Sequence, residues 1–147
     1  MRETYRTHSE EETVALGEKL AGCLAPGAVV LLIGTLGAGK TTIAKGIVKG
    51  LGAAAPDEVS SPTFTLIHEY GDPPAVYHVD LYRIDEPAQL DSLGLEELFD
   101  RRAVVLVEWG DRFPEFWPAD RFEILLRRRD DTEREIEFRR SVPGGSP

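Results

Sequence analysis

One cysteine, three histidines and one methionine in 147 residues leave little material for several kinds of chemistry. Cys23 has no second cysteine to pair with, so an internal disulfide is impossible and nothing points to an oxidising compartment. It falls in an apolar helical pattern, which predicts a buried structural thiol rather than a nucleophile. His8, His68 and His78 are scattered, without zinc-ligand spacing. Long hydrophobic runs are missing too. The longest, Ala28 to Ile33, is far short of the roughly 20 residues a membrane-spanning helix needs. The first residues carry Arg2, Glu3, Arg6 and then Glu10-Glu11-Glu12 without the apolar core of a signal peptide, so cytoplasmic residence with no membrane partner is the expectation. Positive charge is short as well: a net charge of -9 argues against a broad basic surface for nucleic acid. Any nucleic acid is then expected to be reached indirectly, through a protein partner.

What remains is the composition of an ordinary globular chain, with 41% hydrophobic and 29% charged residues. Its length suits one domain, read as residues 1–140, followed by a Gly/Pro/Ser-rich tail, 141–147, expected to be disordered. Ser9-Glu10-Glu11-Glu12 reads as a capping box opening a helix that Val14, Leu16, Leu20, Ala21 and Leu24 carry to about residue 24. Ala28 to Ile33 is a continuous apolar run, the pattern of a strand buried on both faces of a parallel sheet. A second such run, Ala103 to Val107, ends in Glu108-Trp109. Residues 65–70 and 75–82 read as a hairpin around Gly71-Asp72-Pro73-Pro74, and 87–98 as one or two short Leu-rich helical turns broken by Gly94. Residues 111–118 read as an aromatic connector packed on the surface. Phe122, Ile124, Leu126, Ile136 and Phe138 alternate with charges around Asp130-Asp131, giving a C-terminal β-hairpin whose arginines form its solvated face. The fold class these patterns predict is α/β, with a C-terminal β-hairpin.

The chemistry begins between the first strand and the next helix. Gly34-Thr35-Leu36-Gly37-Ala38-Gly39-Lys40-Thr41-Thr42 fits the phosphate-loop pattern G-x-x-x-x-G-K-[ST]. Backbone N–H groups from Gly37, Ala38, Gly39, Lys40, Thr41 and Thr42 can cradle a polyphosphate at the positive end of the following helix. The Lys40 ammonium suits the terminal phosphates and the Thr41 hydroxyl suits Mg²⁺. A polyphosphate ligand and Mg²⁺ are therefore expected. Asp80 and Glu108, at or near strand ends, are the acids most readily delivered to the same edge, one to the metal shell and one to the attacking water. Asp80 could instead cap a helix or pair with Arg83, and Trp109 is either core or a wall beside the nucleotide. His78 reads as a packed or exposed ring rather than a base. Ser61, Thr63 and Thr65, around Pro62 and Phe64, are either a switch-like segment facing the γ-phosphate or a plain turn into a strand.

Taken in order, the phosphate loop, Ser61-Pro62-Thr63-Phe64-Thr65-Leu66, His78-Val79-Asp80-Leu81-Tyr82-Arg83 and Glu108-Trp109 resemble the successive signatures of the TsaE family, also called YjeE. That resemblance spans nearly the whole chain. It implies an α/β, P-loop NTPase-like mixed β-sheet flanked by helices, in a small P-loop ATPase required for threonylcarbamoyladenosine (t6A) on tRNAs that read codons starting with adenine. It further implies a switch-like role for Ser61 to Thr65, a Mg²⁺–ATP site served by Asp80 and Glu108, and Trp109 beside the nucleotide. The implied partners are the TsaD and TsaB proteins, whose complex stimulates hydrolysis that is weak in the chain alone. Ser9 and the Arg127 to Arg129 group are the candidates it offers for the adenine end. One position departs from the pattern: Thr35 stands where the family commonly has Asp. Two other readings of the motifs are a nucleotide-gated binding module and a small-molecule or nucleoside kinase; the latter would need an arginine lid, and the arginines lie mainly among acids in the hairpin.

Overall fold

The computed structural model describes residues 2–62, 66–71 and 73–141. Its centre is the pair of apolar runs: β2 (Val29–Ile33) and β5 (Val104–Glu108) pair in parallel, Val29 opposite Val105 through Leu32 opposite Glu108. Side chains on both faces of each strand are buried almost throughout, as a run without polar alternation requires. On one side of β5 lies β4 (Val76–Asp80), parallel to it, and then β3 (Ile67–Tyr70), antiparallel to β4. On the far side of β2 lies β6 (Arg121–Arg128), parallel to it, followed by β7 (Arg134–Ser141) and β1 (Arg2–Thr7), each antiparallel to its neighbour. The seven strands thus form one mixed sheet in the order β1-β7-β6-β2-β5-β4-β3, with the C-terminal hairpin built into it.

Helix α1 (Glu10–Ala21) and helix α2 (Lys40–Gly50) cover one face, where Ile43, Ala44, Ile47 and Val48 of α2 are fully buried against Val30, Leu32, Leu106 and Ile124. The two helices approach until backbone meets backbone. A Cβ on Gly46 would lie 2.0 Å from the Val14 carbonyl oxygen, and one on Gly17 would lie 2.4 Å from that of Ile43. The opposite face is covered by α3 (Pro87–Asp91) and α4 (Leu95–Phe99), through Leu90, Leu95 and Leu98, and by Trp117. Among the described residues no helix is long and apolar enough to cross a membrane.

Four details differ from the sequence expectation. Strand β1 was not anticipated. As an edge strand it has one partner and is mostly exposed, so a charged stretch such as Arg2-Glu3-Thr4-Tyr5-Arg6-Thr7 can join the sheet without a hydrophobic signature. Helix α1 ends at Ala21 rather than near residue 24, and the amides of Cys23 and Leu24 bond three residues back, to Leu20 and Ala21. That tighter turn changes the phase of the pattern, and Cys23 is exposed, not buried. At the helix start, Ser9 caps the Glu12 amide as expected, but the Glu12 carboxylate reaches the amide of His8 rather than that of Ser9. Finally, the 111–118 connector is not surface packing alone. Trp117 is buried, stacks edge-on with Phe99 and Phe116, and donates its indole N–H to the Gly110 carbonyl.

Two outcomes follow for stability. Gly46→Ala should destabilise by about 1–3 kcal/mol in urea unfolding although Ala is the better helix former, because α1 must move away; Gly22→Ala, whose Cβ meets nothing closer than 3.4 Å, should stay within about 0.5 kcal/mol. Glu123 is buried in β6, which by itself would raise its pKa, but bonds from Arg139 and Arg121 outweigh burial and hold the carboxyl below its ordinary value. A depressed folded pKa stabilises above the unfolded value of about 4.3 and loses that contribution as pH falls through the folded one. Stability measured from pH 5 downward should therefore fall less steeply in Glu123→Gln than in the wild-type chain.

Candidate functional site

The loop leaving β2 turns twice through left-handed backbone, at Gly37 (φ 79°) and Gly39 (φ 105°), conformations that a Cβ disfavours. One internal bond, from the Ala38 amide to the Thr35 carbonyl at 3.1 Å, holds the turn. Helix α2 begins directly at Lys40; its preceding Gly39 offers no side chain to cap it and its first turn carries no acid. The first amides of α2 thus open toward an anion site with the positive end of the helix dipole behind them.

Parallel pairing brings the acids there. Asp80, the last residue of β4, stands opposite Glu108, the last residue of β5. With a side-chain period of two, Val76, His78 and Asp80 share the face that Val104, Leu106 and Glu108 present, the face beneath α2. Both carboxylates are almost wholly buried. Glu108 Oε2 accepts from the Thr41 hydroxyl at 3.1 Å and lies 2.6 Å from His78 Nε2. Asp80 Oδ2 accepts from the Ser61 hydroxyl at 2.8 Å, and Oδ1 accepts from the Tyr82 amide at 2.8 Å. The Asp80 carboxylate thus caps its own turn and also ties down Ser61, at the foot of the segment that holds Thr63 and Thr65; those two lie outside the described residues.

Lys40 is folded back on the loop, donating to the Gly34 carbonyl at 2.6 Å, and the Trp109 ring covers its ammonium with the centroid 3.3 Å away. Burial lowers the Lys40 pKa from the ordinary lysine value, an effect that Glu108, Asp111 and Asp80 partly offset and Arg112 adds to. Trp109 itself has φ 65°, an uncommon conformation for a bulky residue. Its ring is held on further sides by Tyr82, at 5.2 Å between centroids, and by the Arg112 guanidinium at 5.6 Å. Arg112 in turn donates to the Leu81 and Tyr82 carbonyls, fastening the exit of β4 to the exit of β5. Trp109 thus lines the cavity and also packs, half-buried, against the core cluster that holds Trp117.

These groups line one cavity of about 560 Å³. Its floor is Gly37, Gly39, Lys40, Thr41 and Thr42; Asp80, Glu108, Trp109 and Ser61 form one side, and Ser9, Glu10 and Thr13 of α1 face Asp131, Thr132 and Arg134 of the hairpin across the other. Ala38 does not line the cavity: its side chain is buried and its amide is taken up by the Thr35 carbonyl. Arg127, Arg128 and Arg129 do not line the cavity: Arg128 pairs with Asp131 and Arg129 with Glu135. Arg134 was not singled out from sequence, and it is the hairpin arginine that reaches the loop, donating to the Gly37 carbonyl at 3.4 Å. Nothing in the charge pattern distinguishes it from its neighbours. For a metal, Thr41, Asp80 and Glu108 offer oxygen donors alone, and among the described residues no three His, Cys, Asp or Glu side chains converge into a cage. Few protein oxygens beside a phosphate cradle suit Mg²⁺, which keeps water and takes phosphate ligands.

A family model for "Threonylcarbamoyl adenosine biosynthesis protein TsaE" matches residues 7–136. The tRNA threonylcarbamoyladenosine biosynthesis protein TsaE of Bacillus subtilis is 44% identical over 135 residues, covering 91% of this chain and 83% of that protein. Its counterpart from a Nostoc species is 42% identical over 135 residues, covering 88% and 80%. Among solved structures, that of Bacillus subtilis YdiB superposes with a TM-score of 0.75 at 39% identity, over 97% of this chain and 87% of that one. The order of motifs, the mixed sheet and these relatives agree, and the chain belongs to the TsaE family of tRNA threonylcarbamoyladenosine biosynthesis proteins.

Proposed function

We propose that the chain binds Mg–ATP in this cavity and hydrolyses it, slowly alone and faster when docked on the TsaD–TsaB complex, in the service of t6A formation on tRNA. One observation carries the reading: Lys40, Thr41, Asp80 and Glu108 meet at a glycine loop of phosphate-binding geometry, around a cavity of about 560 Å³. The amides of Gly37, Gly39, Lys40, Thr41 and Thr42 would hold the β- and γ-phosphates, with Ser9 and the hairpin tip bounding the nucleoside end. Lys40 would leave the Gly34 carbonyl for the phosphates, an exchange of one acceptor for a charged one that strengthens the bond. Mg²⁺, when bound, would neutralise charge developing on the phosphates. Thr41 would hold it directly, with Glu108, already bonded to that hydroxyl, as the acid on the metal side. Asp80, tied to Ser61, is the acid on the side of residues 61–65 and would orient water there. The water oxygen would bond the γ-phosphorus as its bond to the β–γ bridging oxygen breaks, ADP would leave with that oxygen, and the proton of the water would pass to the Asp80 carboxylate.

The placement of Lys40 also supports a gated reading, in which nucleotide occupancy sets partner affinity. Lys40 cannot serve a γ-phosphate while Trp109 covers it, so the ring and the exit of β5 would respond to binding. A kinase reading gains no support from the hairpin, where Arg128, Arg129, Arg139 and Arg140 each engage an acid.

With TsaD–TsaB present, Lys40→Ala and Glu108→Ala should each reduce ATP turnover by about 100-fold or more, Lys40→Ala through binding as well as rate; turnover surviving both changes would overturn the ATPase assignment. Mg–ATP should change the tryptophan emission of the wild-type chain, and Trp109→Phe should abolish that change, since Trp109 lines the cavity and Trp117 is buried without lining it. Titrating TsaD–TsaB affinity with ATP, ADP and a non-hydrolysable analogue checks gating: affinity should differ between states, and equal affinities exclude it.

A further inference from the structure

His78 has no part in the scheme above, yet it is the most deeply buried polar side chain beside the site. It is 0% exposed, in the middle of β4, two residues before Asp80. Its Nε2 lies 2.6 Å from Glu108 Oε2, while Nδ1 is buried with no hydrogen-bond partner. The two nitrogens therefore have unequal needs. A proton on Nδ1 would be a buried donor without an acceptor, whereas a proton on Nε2 meets a carboxylate at short range. The tautomer that satisfies the site carries its proton on Nε2 and donates it to Glu108.

The consequence lies in the carboxylate. Glu108 Oε2 takes both internal bonds, from His78 below and from Thr41 at the side, which leaves Oε1 as the oxygen turned to the cavity that Glu108 lines. Two donors on one oxygen fix the rotation of the carboxylate plane. Without His78 the group would keep only the Thr41 bond, and Lys40, whose charge acts on Glu108, would draw it out of line. We infer that His78 is a positioning residue: it donates from Nε2 to Glu108 and so aims the free oxygen of that carboxylate at the metal and water side of the cavity. This rests on the Mg–ATP reading. His78 touches neither nucleotide nor metal in it and acts only through Glu108.

The test uses the full chain with TsaD–TsaB and three variants. His78→Gln keeps an N–H near the Nε2 position, His78→Leu removes it, and His78→Leu is also combined with Glu108→Gln. His78→Leu should lower kcat by about 10–100-fold while KM for ATP moves less than about threefold, because the phosphate cradle is untouched. His78→Gln should recover most of the rate. The double variant should be no slower than Glu108→Gln alone, since the histidine has then nothing to position. In the metal-free, nucleotide-free chain, imidazole ¹⁵N NMR should show His78 protonated at Nε2 with a downfield proton that Glu108→Gln shifts. Equal losses in His78→Leu and His78→Gln with both folded, additive losses in the double variant, or an Nδ1–H tautomer would each overturn the assignment. Absence of ATP turnover in the wild-type complex would instead remove the ATPase reading, and the imidazole spectrum would still decide whether the His78–Glu108 bond exists.

Discussion

The rest of this molecule depends on the parallel, in-register pairing of β2, β5 and β4. Parallel strands end at one edge of a sheet, and a side-chain period of two fixes which residues share a face. Because Asp80 stands opposite Glu108, and β2 runs beside β5 into the glycine loop, two acids and the start of α2 arrive at one place with their side chains on one face. A register slip of one residue in β4 would turn Asp80 and His78 to the opposite face and bring Tyr77 and Val79 under α2. The apolar residues between the acids and the strand starts enforce the register, since Val76, Val104 and Leu106 must stay in the core beneath α2. Hydrophobic packing thereby determines where the charges go.

Buried charge on that edge is tolerated because each group has a partner. Glu108 is met by His78 and Thr41, Asp80 by Ser61 and the Tyr82 amide, and Lys40 by the Gly34 carbonyl and the Trp109 face. Isolated, any of these charges would cost several kcal/mol to hold out of water. Some of the partners are also the groups a nucleotide would replace. In the proposed Mg–ATP reading Lys40 would exchange the loop carbonyl for a phosphate; burial already lowers its pKa.

The helices and hairpin confine this edge. Close contact of α1 and α2 at Gly17 and Gly46 sets Ser9 and Thr13 across from the hairpin, and β6, paired with β2, carries the tip with Asp131, Thr132 and Arg134 to the other wall. Membership in the TsaE family accounts for the order of the motifs along the chain, and the sheet accounts for their meeting.

Local pattern by itself determined much of this. The apolar runs of β2 and β5 specify buried parallel strands because they lack polar alternation, and the glycine loop ending in Lys40-Thr41 specifies phosphate chemistry because its spacing serves one backbone geometry. The capping serine, the hairpin pairing of β3 with β4 and the alternation of Phe122, Ile124 and Leu126 were legible for the same reason: each acts over a few neighbouring residues. Tertiary structure alone decided what depends on distant partners. Strand β1 exists because β7 offers it an edge, and Cys23 is exposed because the last turn of α1 tightens under packing. Arg134, rather than Arg127 to Arg129, lines the cavity and bonds the Gly37 carbonyl, a placement set by the pairing of β6 with β2 and β7. His78 beside Glu108 joins residues 30 apart, and Trp109 over Lys40 joins the exit of β5 to the start of α2, which only the fold makes neighbours. Such contacts arise when non-local burial brings side chains together, and no period or propensity along the chain encodes them.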